Sequence, residues 1–129
     1  MIMKKQKTIS KHSSSNKEWH IQVEGKYNAF TISKDFYEYI KPQLLQNNRI
    51  AIIKLKYENA FVIVVGQEIY AEDTPQLLYN EKLKTYGFTP KYPTAARVLY
   101  ELGINEDNAT FTLKEHKANN ITYYLMVKM

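Results

Sequence analysis

Lysines and aromatic rings interleave over residues 82–92, the stretch whose residue types best suit binding chemistry. The charged and ring-bearing members are Lys82, Lys84, Tyr86, Phe88, Lys91 and Tyr92, and all of them except Phe88 are candidate nucleic-acid-binding residues. Rings beside cations hold single-stranded nucleic acid with little sequence preference, because every base offers a face that can stack. The alternative is structural, with Phe88 anchoring the core and the lysines only solvating a loop. The segment is a candidate docking surface for nucleic acid.

A second basic feature lies at the N-terminus, where a set of lysines precedes the first carboxylate, Glu18. These lysines are Lys4, Lys5, Lys7, Lys11 and Lys17. Residues 18–129 hold the remaining thirteen Lys and Arg and all thirteen Asp and Glu, so the net charge of +5 comes from this arm. Residues 1–17 are polar and aperiodic, which predicts a disordered arm that attracts polyanions by displacing their counterions. A merely solubilising tail is the alternative.

The residue types that enzymes use are present without a productive spacing. The three histidines are His12, His20 and His116. They form no HxH or HExxH pattern, no GxSxG occurs, and the four glycines build no phosphate-binding loop. Adjacent carboxylates occur at Glu72-Asp73 and Glu106-Asp107, where turns and helix caps account for them. We expect no catalytic residue, no metal site and no cofactor, and therefore a protein that is not an enzyme.

Tyrosine supports a different class of function. The chain has eleven tyrosines, and tyrosine is enriched at the centres of protein interfaces. Tyr123 and Tyr124 are neighbours in a predicted strand, so one of the two rings must point away from the core. A binding surface for another protein is the functional interpretation. The alternative is that tyrosine replaces phenylalanine on half-exposed strand faces.

Hydrophobic alternation predicts the strands that must position these residues. They cover residues 19–24, 29–32, 49–57, 60–65, 109–114 and 121–127, with an edge strand at 67–71 as an open alternative. Residues 116–120 are predicted to be the loop between the last two strands. The continuous apolar run of residues 61–65 predicts a central strand.

Helix signals are fewer. Ser33 is placed to cap a helix over residues 34–46, in which Pro42 should cause a kink or a break. Thr74-Pro75 could open a short helix toward Lys84. Thr89 as N-cap, with Pro90 at the first helical position, predicts a helix that ends before Gly103.

Together these elements predict one α+β domain at residues 18–129, an antiparallel sheet of five or six strands with two or three helices. Phe30-Thr31 and Phe88-Thr89 each precede a predicted helix and hairpin, so the domain could consist of two helix-plus-hairpin halves. The longest apolar run is six residues, far short of a membrane span, and cysteine is absent. A cytoplasmic protein without membrane contact is the expectation.

These observations favour a small accessory protein, bacterial or from a phage or other mobile element, that contacts nucleic acid or a nucleoprotein complex. The arm and residues 82–92 would provide the contact. The alternative is a protein-binding inhibitor or regulator, for example one directed against a host defence, that acts through a tyrosine-rich surface.

Overall fold

The computed structural model describes residues 19–44, 48–65 and 74–129. Their strands are β1 (His20–Glu24), β2 (Ala29–Ile32), β3 (Ile50–Lys54), β4 (Phe61–Val65), β5 (Leu78–Asn80), β6 (Thr85–Phe88), β7 (Asn108–Ala118) and β8 (Ile121–Lys128). Their helices are α1 (Lys34–Ile40) and α2 (Ala95–Glu101), and a 3-10 turn (Lys41–Gln43) continues α1.

All eight strands belong to one antiparallel sheet with the order β3-β4-β8-β7-β1-β2-β6-β5. The sheet curls, and its two edges approach each other near the start of β3. An isolated antiparallel bridge joins Arg49 to Gln76 there. Backbone hydrogen bonds from Ile50 N to Pro75 O (3.1 Å) and from Leu77 N to Asn48 O (2.9 Å) support it.

The predicted fold class is therefore wrong. The described residues form a mostly β structure, an eight-stranded curled sheet with two helices of seven residues each, rather than five or six strands with two or three helices. The two additional strands are β5 and β6. β5 and the turn after it replace the short helix that Thr74-Pro75 could open toward Lys84, because β5 pairs with β6, which pairs with β2 and so joins the sheet. The edge strand expected at 67–71 lies outside the described residues.

Both predicted helices are shorter than expected, for local reasons. Pro42 falls in the 3-10 turn that follows α1, so the predicted break is confirmed. Helix α2 begins at Ala95 rather than after Thr89, and its N-cap is Thr94, whose Oγ1 accepts a hydrogen bond from Arg97 N (3.2 Å).

The strand elements of the C-terminal hairpin run longer than their alternation suggested. β7 continues to Ala118 and β8 starts at Ile121, so the predicted loop at 116–120 shrinks to Asn119 and Asn120. Both asparagines have positive φ (52° and 69°), the backbone conformation that a two-residue hairpin turn requires.

The described elements repeat one pattern: hairpin, helix, hairpin, twice along the chain. The sequence predicted units of one helix followed by one hairpin, and that prediction missed the hairpin that precedes each helix. The hairpins β1–β2 and β5–β6 share a four-residue turn, over residues 25–28 and 81–84. The last residue of each turn, Asn28 or Lys84, has positive φ (49° and 57°). The first hairpins of the two halves thus have closely similar turns.

One hydrophobic core holds both halves together. Inward-facing strand residues such as Ile21, Phe30 and Phe111 pack with Phe36 of α1 and Val98 of α2, and all five side chains are at most 1% exposed. Phe30 and Phe88 lie opposite each other on β2 and β6, with ring centroids 5.1 Å apart. Burial of these rings and of the aliphatic side chains around them stabilises the core.

Candidate nucleic-acid interface

The outer side of strands β1-β2-β6-β5 forms a face on which side chains point away from the core. Because residues alternate across a strand, the buried positions Ile21, Val23, Phe30 and Phe88 leave the intervening positions on this face. One row runs across the strands in register. Its members are Thr110 of the adjoining β7, Gln22, Thr31, Gly87 and Leu78.

Gly87 makes the middle of this face low. A Cβ built on Gly87 would lie 2.7 Å from the backbone oxygen of Phe30, so β2 and β6 approach too closely for any side chain there. A shallow hollow of about 460 Å³ lies over Gly87, with Leu78 and Leu83 on its lining. The face is therefore low enough at its centre for a ligand to approach the backbone.

A trough of about 780 Å³ opens where this face meets the start of α1 and the β5–β6 turn. Its polar lining consists of His20, Gln22, Thr31, Ser33, Lys34, Glu38, Lys84, Thr85 and Thr110. Hydroxyl, amide and ammonium groups of this kind are the usual partners of phosphate and sugar oxygens. Ser33 is already engaged, since its Oγ accepts from His20 N (3.0 Å).

Lysines mark both ends of the face. The turn of residues 25–28 lies at the Phe88 end of β6, and the turn of residues 81–84 lies at the Ile32 end of β2. The second residue of each turn is a lysine, Lys26 or Lys82. The exposed lysines of the two ends are Lys26 and Lys91 at one, and Lys34, Lys82 and Lys84 at the other. The carboxylates of Glu24, Glu38 and Glu81 offset part of this charge.

The residues predicted from the 82–92 segment do not form one patch. Lys82 and Lys84 lie in the β5–β6 turn, whereas Lys91 and Tyr92 lie past β6, at the other end of the face. Asn28 holds that end together, because its Nδ2 donates to Pro90 O (2.8 Å) and its Oδ1 accepts from Ala95 N (2.7 Å). The lysines of the arm lie outside the described residues.

The Tyr86 ring is not free to stack on a base, because other rings already pack against it. It stacks on Tyr37 of α1, with centroids 3.6 Å apart and planes 7° from parallel, and Tyr79 leans on it at 4.8 Å. The hydrogen bond with the Tyr37 hydroxyl, followed by burial, raises the pKa of Tyr86 above its usual range. Tyr79, which is 49% exposed, is the outermost ring of the three.

Sequence reasoning missed Lys26, Lys34, Tyr37 and Tyr79. The signal for Lys26 was available, because Gly25-Lys26-Tyr27-Asn28 is a turn sequence and turn tips project. Nothing local indicates that Tyr37 and Tyr86 would meet, since 49 positions separate them and only the β2–β6 pairing unites them.

The two tyrosines considered for binding another protein, Tyr123 and Tyr124, lie on β8, outside the strands β1-β2-β6-β5. Tyr124 is fully buried and its hydroxyl donates to Gln43 Oε1 (3.0 Å). Tyr123 lies on the opposite side of β8 and stacks on His116, with centroids 5.3 Å apart. The inference that one of the two rings points away from the core is confirmed.

Other charged groups serve structural contacts. Glu101 of α2 binds Lys54 of β3 (2.5 Å) and Arg97 (2.7 Å), and hydrogen bonds from these two cations lower the pKa of Glu101. Tyr39 donates to Glu115 Oε2 (2.8 Å), and this bond raises the pKa of Tyr39. The Lys54–Glu101 and Tyr39–Glu115 contacts join helices to the sheet. None of these residues lies on the outer face of β1-β2-β6-β5.

Within residues 19–44, 48–65 and 74–129, no cluster of three or more His, Asp or Glu side chains could hold a metal ion. Over the same residues, no helix has the length and apolar character that crossing a membrane requires. Comparisons of the chain with protein-family models, with curated proteins and with solved structures gave no match.

Proposed function

We propose that this protein is a non-enzymatic nucleic-acid-binding protein that contacts the sugar-phosphate backbone of a duplex through the outer face of β1-β2-β6-β5. One observation carries the proposal: lysines occupy the same position in two similar turns at opposite ends of one face. Polar side chains line the trough between them, and the centre of the face is low at Gly87.

The chemistry of the face suits backbone contact better than base reading. Lysine acts as a point charge toward phosphate, whereas reading guanine edges commonly uses arginine, and both arginines of the chain have structural partners. Arg97 binds Glu101, and Arg49 donates to the backbone oxygen of Thr74. We therefore expect weak dependence on base sequence.

The stacking of Tyr37 on Tyr86 favours a duplex over a single strand. Single-strand binders leave ring faces open for bases, but Tyr86 already lies between Tyr37 and Tyr79. Two separated lysine clusters instead suit contact with phosphates at two places along one duplex. Counting strand and turn residues puts the two lysine-bearing turns about 25 Å apart.

The test uses paired lysine variants and duplex DNA. Lys82→Ala with Lys84→Ala should weaken binding at low salt several-fold and make the slope of log affinity against log salt shallower by about 2, since each phosphate contact contributes about 0.9. The matched control is Lys56→Ala with Lys117→Ala, two exposed lysines elsewhere in the fold, one in the β3–β4 loop and one near the end of β7. Equal losses in both double variants would contradict a localised interface.

A protein-binding regulator is the second candidate. It is favoured by an apolar row on β3, β4 and β8, where Ile53, Val62 and Leu125 are in register; Val62 is buried at the centre of the row, and Ile53 at its edge is 47% exposed. Capture of partners from host lysate with and without nuclease separates the two candidates. Partners that persist after nuclease, and are lost on Ile53→Ser, would favour the regulator.

A further inference from the structure

The tips of the two first hairpins carry exposed apolar side chains that backbone binding leaves unexplained. Tyr27 and Leu83 are each the third residue of their four-residue turn, and each is 68% exposed. The two turns end in residues with similar positive φ, so these side chains are presented from closely similar backbones. Both stand beside lysines, Lys26 in one turn and Lys82 and Lys84 in the other.

An apolar side chain at a projecting tip, flanked by cations, has the properties of a wedge. Proteins that bind the minor groove insert such side chains between neighbouring base pairs, which unstacks one step and kinks the duplex. The cations beside the wedge hold the phosphates on either side of the opened step. Tyr27 has an aromatic ring, and Leu83 has a compact branched chain, so both can fill an opened step.

The spacing of the tips fits one bound duplex. Counting strand residues between the two turns puts the tips about 25 Å apart, which corresponds to about seven base pairs at 3.4 Å each. The tips lie at opposite ends of the face, so both side chains reach the same duplex when it lies along the face.

We propose that Tyr27 and Leu83 insert between base steps and bend the bound duplex. This inference rests on the proposed function, because it requires that duplex DNA binds the face. The bend costs least at flexible pyrimidine–purine steps. The protein should therefore prefer duplexes with two TA steps about seven base pairs apart over duplexes with stiff A-tracts at those places, even without hydrogen bonds to base edges.

The experiment measures binding and bending separately. A duplex of about 30 base pairs carries a fluorescent donor and acceptor at its ends, and fluorescence anisotropy of a singly labelled copy reports affinity. Wild-type protein at saturation should increase energy transfer, and Leu83→Ser with Tyr27→Ser should abolish most of that increase. Ile121→Ser, at the exposed start of β8, is the matched control and should retain it.

Each outcome tests either the proposed duplex binding or the proposed insertion of Tyr27 and Leu83. Binding with no change in energy transfer overturns the wedges and leaves backbone contact standing. An equal bend with the double serine variant at saturation also overturns them. Absence of any duplex binding by the wild-type protein overturns the proposed function and the wedges with it. A second probe, 2-aminopurine placed at the TA steps, should brighten with the wild-type protein and stay dim with the variant.

Discussion

At the scale of single residues, the chemistry of a side chain depends on what the fold places against it. The sequence shows which residues in 82–92 are lysines and tyrosines, but it does not show whether each tyrosine ring is free to stack on a ligand. Tyr86 stacks on Tyr37, a partner that only the pairing of β2 with β6 brings near. The buried positions of β1 and β7 followed directly from alternation, because burial there depends on strand period alone.

Tyr124 gives a prediction about alkaline unfolding. Burial raises its pKa to about 12 from 10.0, so the folded protein holds this proton more tightly than the unfolded chain. That contribution is complete below pH 10 and is lost as the pH rises from about 10 to 12, amounting to about 3 kcal/mol of unfolding free energy. Urea titrations across this range should show a loss that is smaller in Tyr124→Phe.

The control for that measurement is Tyr57→Phe, because the Tyr57 ring is 87% exposed. It should follow the wild-type curve throughout. At pH 7 the Tyr124→Phe protein should be less stable by about 1 kcal/mol, since Gln43 Oε1 loses its donor. Identical alkaline curves for all three proteins would contradict the assigned role of Tyr124.

At the scale of elements, sequence reasoning succeeded where local signals matched tertiary pairing and failed where pairing overrode them. Pro42 ended α1 as expected, because a missing N–H acts locally. Thr74-Pro75 and Thr89-Pro90 resemble helix starts, yet the first is followed by the β5–β6 hairpin, whose β6 pairs with β2, and the second helix begins at Ala95. The decisive contacts are those of Asn28, which binds Pro90 O and Ala95 N across the fold.

Asn28 therefore gives a prediction about how the first hairpin is joined to α2. Asn28→Ala removes both hydrogen bonds and leaves a Cβ-bearing residue without a polar side chain at positive φ, so it should lower the unfolding free energy by about 2 kcal/mol. Asn28→Gly loses the same bonds but relieves the backbone, so it should cost less. Urea denaturation of the two variants gives the comparison.

Asn28→Asp completes the series, because it keeps the acceptor for Ala95 N and loses the donor to Pro90 O. It should fall between the wild-type protein and Asn28→Ala. A stability of Asn28→Ala equal to that of the wild-type protein would show that this junction contributes nothing to the fold.

At the scale of the whole molecule, charge separates into an arm and a balanced body. The described part of the chain enters β1 at His20, which lines the trough. Composition alone predicts the lysine-rich arm at residues 1–17. It could not reveal the face, because the lysines of the two turns become one surface only when the two halves join.

Removal of residues 1–17 gives a prediction about salt dependence. The arm has five lysines, so its loss should make the slope of log affinity against log salt shallower by about 3 to 4, allowing for incomplete contact. The melting temperature should change by less than about 5 °C, since the arm has no apolar anchor.

A full-length protein with all five arm lysines changed to glutamine is the matched control, because it keeps the length and removes the charge. It should reproduce the slope of the truncated protein. An unchanged slope in both proteins would assign the electrostatic attraction to the body alone.

The alternation of hairpins around the sheet has a consequence for synthesis on the ribosome. β7–β8 lies between β4 and β1, and β6–β5 extends the sheet beyond β2. Hairpins of the two halves therefore alternate across the sheet. The N-terminal half therefore emerges with β1 and β4 unpaired on one side, and the strand that completes each of them is made last. Such long-range pairing slows folding and leaves edges exposed while translation continues. The nascent chain should depend on chaperones until β8 leaves the exit tunnel.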